Sequence, residues 1–346
     1  MTAVAKLSPR ERLLRTLERR SVDRPPVACM GGMMNAAVVE IVENGEASLP
    51  AAHFDPVKMA RLALAVAERS GFENVAVPFC MTVEPEALGS EINPGSVSCE
   101  PKVARERYAS VEEVPDIDIR AALSAGRVPV VLKALSLLRA ELRAEKRELP
   151  LVVSLSGPIS TAAAIVDPPT FFKELRKKRE AAHRAIGRVT DFLSAYAVKA
   201  IEAGAEVVAI GDPSATGEIL GPALFEEFAV CFNRRLVEAA RKAGAGTIVH
   251  ICGDTNRCRR HWPAIGAAAV SVDAMINIVK LKEEFPELRT MGNVSTFLLE
   301  MGTPGQVAAR VRQLIAGGVD IIAPACGLST STRLEMIRAL TDAVKG

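Results

Sequence analysis

The residues best suited to chemistry lie at the ends of apolar stretches. The segment IVHICGDTNRC, residues 248–258, places His250 and Cys252 directly after an apolar run, and Cys326 lies far along the chain in APACGLST. Side chains two positions apart on a strand point to the same face, so His250 and Cys252 project together. One imidazole and two thiolates suit Zn²⁺, and a set of three protein ligands leaves a fourth position open for a substrate. The pattern indicates a catalytic zinc site.

The cysteines of the chain also allow roles other than metal binding. Cys252 and Cys326 are compatible with a redox disulfide. Cys258 is close in sequence, but DTNRCRRHW is typical of a helix capped by Asp254 or Thr255, which would carry Cys258 away from the site. The remaining cysteines are interpreted as small buried apolar residues: Cys29, Cys80, Cys99 and Cys231.

Short β-type runs alternate with amphipathic helical stretches along the chain. The predicted strands are residues 25–30, 74–80, 150–157, 205–212, 246–252, 268–273, 288–294 and 319–326. Most are continuous apolar runs, as in parallel strands that are buried on both faces. Eight such units predict a single-domain α/β fold over residues 1–346, a (β/α)8 TIM barrel. A doubly wound open sheet is the alternative, which the lack of a glycine-rich fingerprint after the first strand disfavours.

Two segments lie outside the strand–helix alternation. Residues 1–24 predict a lead-in helix, in which Ser8 is the N-cap, Pro9 follows it and Glu11 completes a capping box. Residues 84–127 predict an irregular insertion after the second strand, with a small hairpin.

A barrel of this kind carries its active site where the strands end. Polar residues stand at the ends of five successive predicted strands: Asp212, His250 with Cys252, Asp273, Asn293 and Cys326. Core packing does not explain polar endings on apolar strands, so we expect these side chains to meet at one face.

Composition excludes several classes of protein. Apolar residues make up 49% of the chain, charged residues 24%, and the net charge is +2 with a single Trp. This is a globular composition, without the basic footprint of a nucleic-acid-binding protein. No apolar stretch has the length of a membrane span, and no signal peptide is evident. Seven irregularly spaced cysteines do not form a disulfide framework, so we expect a cytoplasmic protein.

The segments HICGDT and APACGLSTSTRLEMIRAL resemble the uroporphyrinogen decarboxylase superfamily and, within it, the zinc-dependent methylcobamide:coenzyme M methyltransferases. The segments SLSGPISTAA, AIGDPSAT and MGNVST extend the likeness over nearly the whole chain. The resemblance implies that His250, Cys252 and Cys326 hold zinc. It also places a carboxylate ligand at Asp273, where Glu is usual; Asp273 would otherwise orient His250 or cap the following helix.

The resemblance further implies a reaction. A zinc-activated thiolate, such as that of coenzyme M, would take a methyl group from the methyl-Co(III) cobamide of a separate corrinoid protein. Asp212 is then expected to orient the substrate or handle a proton, and Asn293 to hydrogen-bond the acceptor. Met33 and Met34, in the segment GGMMNAA, are expected at an apolar rim that contacts the cobamide, although they could equally pack inside the barrel mouth.

Three other functions remain as alternatives. Tetrahydrofolate or a methoxylated or methylated donor would replace the thiol in a related methyltransferase. Uroporphyrinogen decarboxylation is disfavoured, because its carboxylate-rich substrate calls for arginines. The resemblance places the arginine-rich segment of the decarboxylases after the first strand, where this chain has MGGMMNAA and no arginine. A zinc-binding barrel without catalytic activity is the last alternative.

Overall fold

Six parallel strands form the central sheet of the computed structural model, which describes residues 6–43 and 47–346. In chain order the strands are β1 (Val75–Val77), β2 (Glu91–Asn93), β3 (Lys102–Arg105), β4 (Leu151–Ser156), β5 (Val207–Gly211), β6 (Gly246–Ile251), β7 (Ala269–Val272) and β8 (Thr290–Met291). The sheet has the order β1-β4-β5-β6-β7-β8, while β2 and β3 pair separately as an antiparallel hairpin. β4, β5 and β7 are buried along their whole length, as their continuous apolar sequences predict.

Two shorter extended segments join the edges of this sheet. Residues 321–324 pair in parallel with the end of β8, and residues 26–28 pair in parallel with 321–324. The backbone N–H of Glu73 donates to the carbonyl of Val27, and the Asn74 side chain bonds to both backbone groups of Cys29 at 2.8 and 2.7 Å. Eight extended segments therefore follow one another around a TIM barrel, as predicted.

Helices surround the barrel and fill the connections. They are α1 (Pro9–Leu17), α2 (Val39–Val42), α3 (Pro56–Ser70), α4 (Val83–Ala87), α5 (Ile119–Leu123), α6 (Val128–Ala144), α7 (Pro158–Ile165), α8 (Pro168–Lys177), α9 (Arg179–Glu202), α10 (Gly217–Leu224), α11 (Cys231–Lys242), α12 (Trp262–Ile265), α13 (Ile278–Glu284), α14 (Thr296–Met301), α15 (Pro304–Ala316) and α16 (Leu334–Lys345). Short 3₁₀ segments occur at Ala51–His53, Val111–Glu113, Pro213–Ala215 and Asn256–His261, and Phe225–Val230 is π-helical.

Helix α1 is the lead-in helix that the sequence predicts. The Ser8 side chain accepts from the backbone of Glu11, and the Glu11 side chain accepts from the backbone of Ser8, which is the predicted capping box. Leu13 and Leu17 of this helix join the apolar cluster inside the barrel. The predicted insertion, residues 84–127, contains the β2–β3 hairpin.

The apolar core has an inner and an outer layer. On β5, Val207 and Ala209 belong to the cluster inside the barrel, whereas Val208 and Ile210 pack with the helices outside. This alternation follows from the two-residue period of a strand. The same alternation determines which residues at the carboxyl end of each strand point into the barrel, and the site lies at these strand ends.

Across the residues that the structure describes, no helix combines the length and the apolarity required to cross a bilayer.

Candidate metal site at the barrel mouth

His250, Cys252 and Cys326 meet at the carboxyl end of the barrel. The Nε2 atom of His250 lies 2.9 Å from the Sγ of Cys252, which lies 2.9 Å from the Sγ of Cys326. One ligand atom from each of the three residues falls within 4.8 Å of the others. The structure thus brings together the three residues that spacing selected from distant parts of the chain.

The position of His250 follows from the pleat of β6. Ile248 points into the barrel, so His250, two residues later, points the same way at the top of the strand, and it is fully buried. Its neighbour in register on β7 is Ser271, whose Oγ lies 2.9 Å from His250 Nδ1. When Nδ1–H donates to this oxygen, Nε2 is left unprotonated and faces the two sulfur atoms, as metal ligation requires.

The two thiols differ in their acidity. The pKa of Cys326 falls to about 5, because the Cys252 thiol donates a hydrogen bond to its sulfur and because His250 and the Gly327 backbone add further stabilisation of the thiolate. The pKa of Cys252 rises, because its proton is held by Cys326 and its sulfur is largely buried. The hydrogen bond within the pair thus favours the thiolate form of Cys326 over that of Cys252.

The donor set fits zinc. Zn–N and Zn–S bonds place the ligand atoms of a tetrahedral site about 3.5–3.8 Å apart, so the three atoms need only small movements to surround one ion. Cys252 and Cys326 are only partly buried as residues, unlike the fully buried His250. The same residues are compatible with a catalytic site that keeps a position for a substrate.

Asp273 lies beside the cluster but is not one of the residues whose ligand atoms fall within 4.8 Å of one another. Its Oδ2 accepts from the backbone N–H of Gly253 at 3.2 Å, and its Oδ1 accepts from that of Met275 at 3.1 Å. Its charge contributes to the raised pKa of Cys252. Asp273 thus braces the loop that follows Cys252, and ligation by it stays a prediction.

Asn293 is buried at the end of β8 and supports the same region. Its Nδ2 donates to the carbonyls of Asp273 at 2.8 Å and Ile276 at 2.9 Å, and its Oδ1 accepts from Arg310 at 3.2 Å. These bonds fix the turn that contains Asp273. The predicted hydrogen bond from Asn293 to an acceptor stays untested.

Asp212 is fully buried at the end of β5, where it anchors the start of α7. Its Oδ1 accepts from the backbone and hydroxyl of Ser160, both at 2.7 Å, and its Oδ2 accepts from Asn233 at 2.8 Å and from the backbone of Ile159 at 3.4 Å. Burial raises the pKa of Asp212, which these hydrogen bonds oppose. These donors are all groups of the protein itself, and the predicted role of Asp212 in substrate handling stays a prediction.

Met33 and Met34 differ in position. Met34 is 2% exposed and packs in the cluster inside the barrel, whereas Met33 is half-buried and packs against that cluster. A small cavity near His250 is lined by both side chains. Of the two, only Met33 retains surface at the mouth.

The remaining cysteines lie outside the cluster. Cys29, Cys80 and Cys258 are buried, and Cys231 is half-buried. Cys258 follows a turn in which Asp254 Oδ1 accepts from Asn256 N at 2.8 Å, and this turn carries it away from the site as predicted. The prediction of a buried Cys99 is wrong, because this residue lies in the exposed loop between β2 and β3.

Sequence reasoning missed Ser271. The available signal was a single polar residue inside the apolar strand AAVSVD, on the same strand face as Asp273. Only the parallel register of β6 and β7 shows that its partner is His250.

Comparison with known proteins identifies the family. The family model described as uroporphyrinogen decarboxylase (URO-D) matches residues 8–346. The chain belongs to this family. The resemblance seen in the segments around His250 and Cys326 is therefore confirmed.

Several relatives that match over nearly the whole chain are named as methyltransferases. The methylcobamide:CoM methyltransferase MtaA of Methanosarcina barkeri is 32% identical over 335 residues, which cover 96% of each chain. A methylated-thiol–coenzyme M methyltransferase of Methanosarcina mazei is 30% identical over 343 residues, 99% of this chain and 90% of that one. A solved structure of a methyltransferase from Methanosarcina mazei superposes with a TM-score of 0.91, at 32% identity and 98% coverage of both chains.

Proposed function

We propose that this protein transfers a methyl group between the cobamide of a methylated corrinoid protein and a thiol acceptor such as coenzyme M. The observation that carries the proposal is the cluster of His250, Cys252 and Cys326, whose ligand atoms converge from two distant strand ends at the barrel mouth. Relatives named for methyl transfer to coenzyme M match over nearly the whole chain, which supports the same reaction here.

In this proposal the three residues hold a zinc ion. When bound, zinc would keep the acceptor sulfur in its thiolate form, which is the nucleophilic form of a thiol at neutral pH. Ser271 holds the imidazole of His250 with Nε2 toward the cluster, and the backbone N–H of Gly327 stabilises negative charge on Cys326. The apolar interior below the cluster excludes water from that side.

Asp212 and Asn293 act in this proposal by holding the loops of the site. Asp212 fixes the first turn of α7 beside the ends of β4 and β5, and Asn293 fixes the turn of Asp273. Their hydrogen bonds favour positioning roles over direct contact with the acceptor. Asp273 would serve as a resting ligand by moving toward the cluster, since its oxygens lie outside the group of ligand atoms that fall within 4.8 Å of one another.

The cobamide approaches from the open face of the barrel in this proposal. Met33 offers apolar surface there, while Met34 lies below it and supports its packing. Exposed apolar side chains also lie on the connections after β7 and β8: Met275, Phe297 and Met301. These connections stand at the carboxyl ends of the strands, so a partner protein that presents a cobamide to the cluster would meet them.

The zinc content of the parent protein and of three cysteine variants tests the site. Protein purified without added metal is expected to contain about one zinc per chain. Cys252→Ala and Cys326→Ala are each expected to lose most of it, because either change leaves two ligands. Cys231→Ala, a cysteine outside the cluster, is the matched control and should retain zinc. Retention of zinc in either ligand variant, or its absence from the parent protein, would contradict the site.

Methyl transfer from methylcobalamin then tests the reaction. We expect loss of the methyl group from cobalt with coenzyme M as the acceptor and no transfer with tetrahydrofolate. Zinc binding without methyl transfer to any acceptor would instead support the alternative of a zinc-binding barrel without catalytic activity.

A further inference from the structure

The loop between β2 and β3 reaches the part of the chain that carries Cys326. The hydroxyl of Thr330, four residues after Cys326, donates to the carbonyl of Ser98 at 3.0 Å. Glu100, two residues further along the loop, has its Oε1 3.0 Å from Asn35 Nδ2, which also donates to the carbonyl of Gly32 at 2.7 Å. The insertion therefore brings a half-buried carboxylate to the mouth of the barrel, between the turn of residues 31–35 and the loop after Cys326.

Glu100 accepts fewer hydrogen bonds than the carboxylates of Asp212 and Asp273. Asp212 accepts four hydrogen bonds, and each oxygen of Asp273 accepts one from the backbone. Among the described residues, only Asn35 donates to Glu100, and its Oε2 receives no hydrogen bond. This oxygen is thus available to a group that enters the site.

The surroundings of Glu100 also suit proton uptake near neutral pH. Burial raises its pKa to about 7, and the charge of Cys326 acts in the same direction, while the hydrogen bond from Asn35 and the charge of Lys102 oppose both. A carboxyl group with a pKa near the working pH exchanges protons efficiently.

We propose that Glu100 accepts the proton of the thiol substrate as the thiol enters the site. The S–H bond breaks, its electron pair stays on sulfur as the thiolate, and the proton passes to Oε2 of Glu100. This inference rests on the proposed function, and it gives the insertion a role in that reaction. The thiolate formed nearby raises the proton affinity of Glu100 further, so Glu100 keeps the proton while the thiolate is bound.

Proton release on thiol binding tests the proposal. The zinc-loaded protein is mixed with coenzyme M in weak buffer that contains a pH indicator, from about pH 5.5 to about pH 7.5, where the free thiol is still mostly protonated. Glu100→Gln preserves the acceptor for Asn35, and its zinc content should equal that of the wild type. Glu91→Gln is the matched control, because Glu91 is an exposed carboxylate of the same hairpin and pairs with Arg105.

The wild type should release roughly half a proton per bound thiol near pH 7, since about half of the Glu100 side chains are free to take one up. Near pH 5.5 it should release about one, because Glu100 is then already protonated before the thiol binds. Glu100→Gln should release about one throughout this pH range, in which the free thiol is mostly protonated, and Glu91→Gln should behave as the wild type.

Equal release near pH 7 by Glu100→Gln and the wild type, with thiol bound to both, would overturn the role of Glu100 and leave the proposed function standing. A wild-type protein that contains zinc and binds no thiol would contradict the proposed function itself.

Discussion

Replacing Ser271 of β7 by alanine tests whether this residue supports zinc binding at the proposed site. The Oγ of Ser271 is 2.9 Å from Nδ1 of His250, and both residues are fully buried. The substitution removes the acceptor for Nδ1–H of His250, while all the proposed zinc ligands remain in place. The imidazole then loses the bond that fixes both its orientation and the proton on the nitrogen remote from the cluster.

The expected effect on zinc affinity follows from this geometry. Loss of a partner to a metal-bound histidine weakens metal binding about 10–100-fold, or roughly 1.4–2.7 kcal/mol. A buried N–H without a partner costs about 1–3 kcal/mol, which agrees with that range. Competition with a chromophoric zinc chelator at fixed pH measures the dissociation constant directly.

Ser154→Ala is the matched control for this measurement. Ser154 is a nearly buried serine on β4 that makes no side-chain hydrogen bond within the described residues. Its replacement should leave the zinc dissociation constant unchanged. If Ser271→Ala binds zinc as tightly as Ser154→Ala, Ser271 does not orient His250 and the assignment of the ring nitrogens is wrong.

Two further predictions concern the scaffold. Gly157→Ala places a Cβ 2.4 Å from both Cβ and Cγ of Asp212, so urea unfolding should show that the free energy of unfolding falls by about 1–3 kcal/mol. The control is Gly187→Ala on α9, whose added Cβ has its nearest neighbour at 3.6 Å and should raise the free energy of unfolding by about 0.5–1 kcal/mol. Equal effects of the two substitutions would show that the contact with Asp212 relaxes freely. Arg12 lowers the pKa of Asp23 to about 2 from 3.8, so this pair stabilises the fold above about pH 4, and its contribution is lost as the pH falls toward 2. Asp23→Asn should therefore flatten the pH dependence of the urea midpoint in this interval, and an unchanged slope there would argue against the pair.

Several features of the barrel could be predicted because they depend on local periodicity. Continuous apolar runs identified β4 to β7, and the two-residue period of a strand placed His250 and Cys252 on one face. The ligand types, one imidazole and two thiols, were sufficient to predict zinc chemistry. Residue type, together with position at the end of a predicted strand, carries this information without the tertiary structure.

Other features depend on how distant segments are brought together. The short distance from Cys252 to Cys326 requires the barrel to close, and the bond from Ser271 to His250 requires the register of β6 and β7. The use of Asn293 and Asp212 as anchors of neighbouring loops also follows from tertiary packing, since a polar residue at a strand end can equally face a substrate.

The insertion, residues 84–127, shows most clearly which features depend on tertiary structure and not on local sequence. Its sequence indicated an irregular segment with a hairpin, and nothing in its periodicity marked Glu100. Contacts of Ser98 with Thr330 and of Glu100 with Asn35 carry this carboxylate to the barrel mouth. The sequence by itself predicted most of the strands, their inward faces and a set of residues whose chemistry suits zinc. The tertiary structure decided which partners those ligands have, because loop paths and side-chain contacts depend on residues that are far apart in the chain.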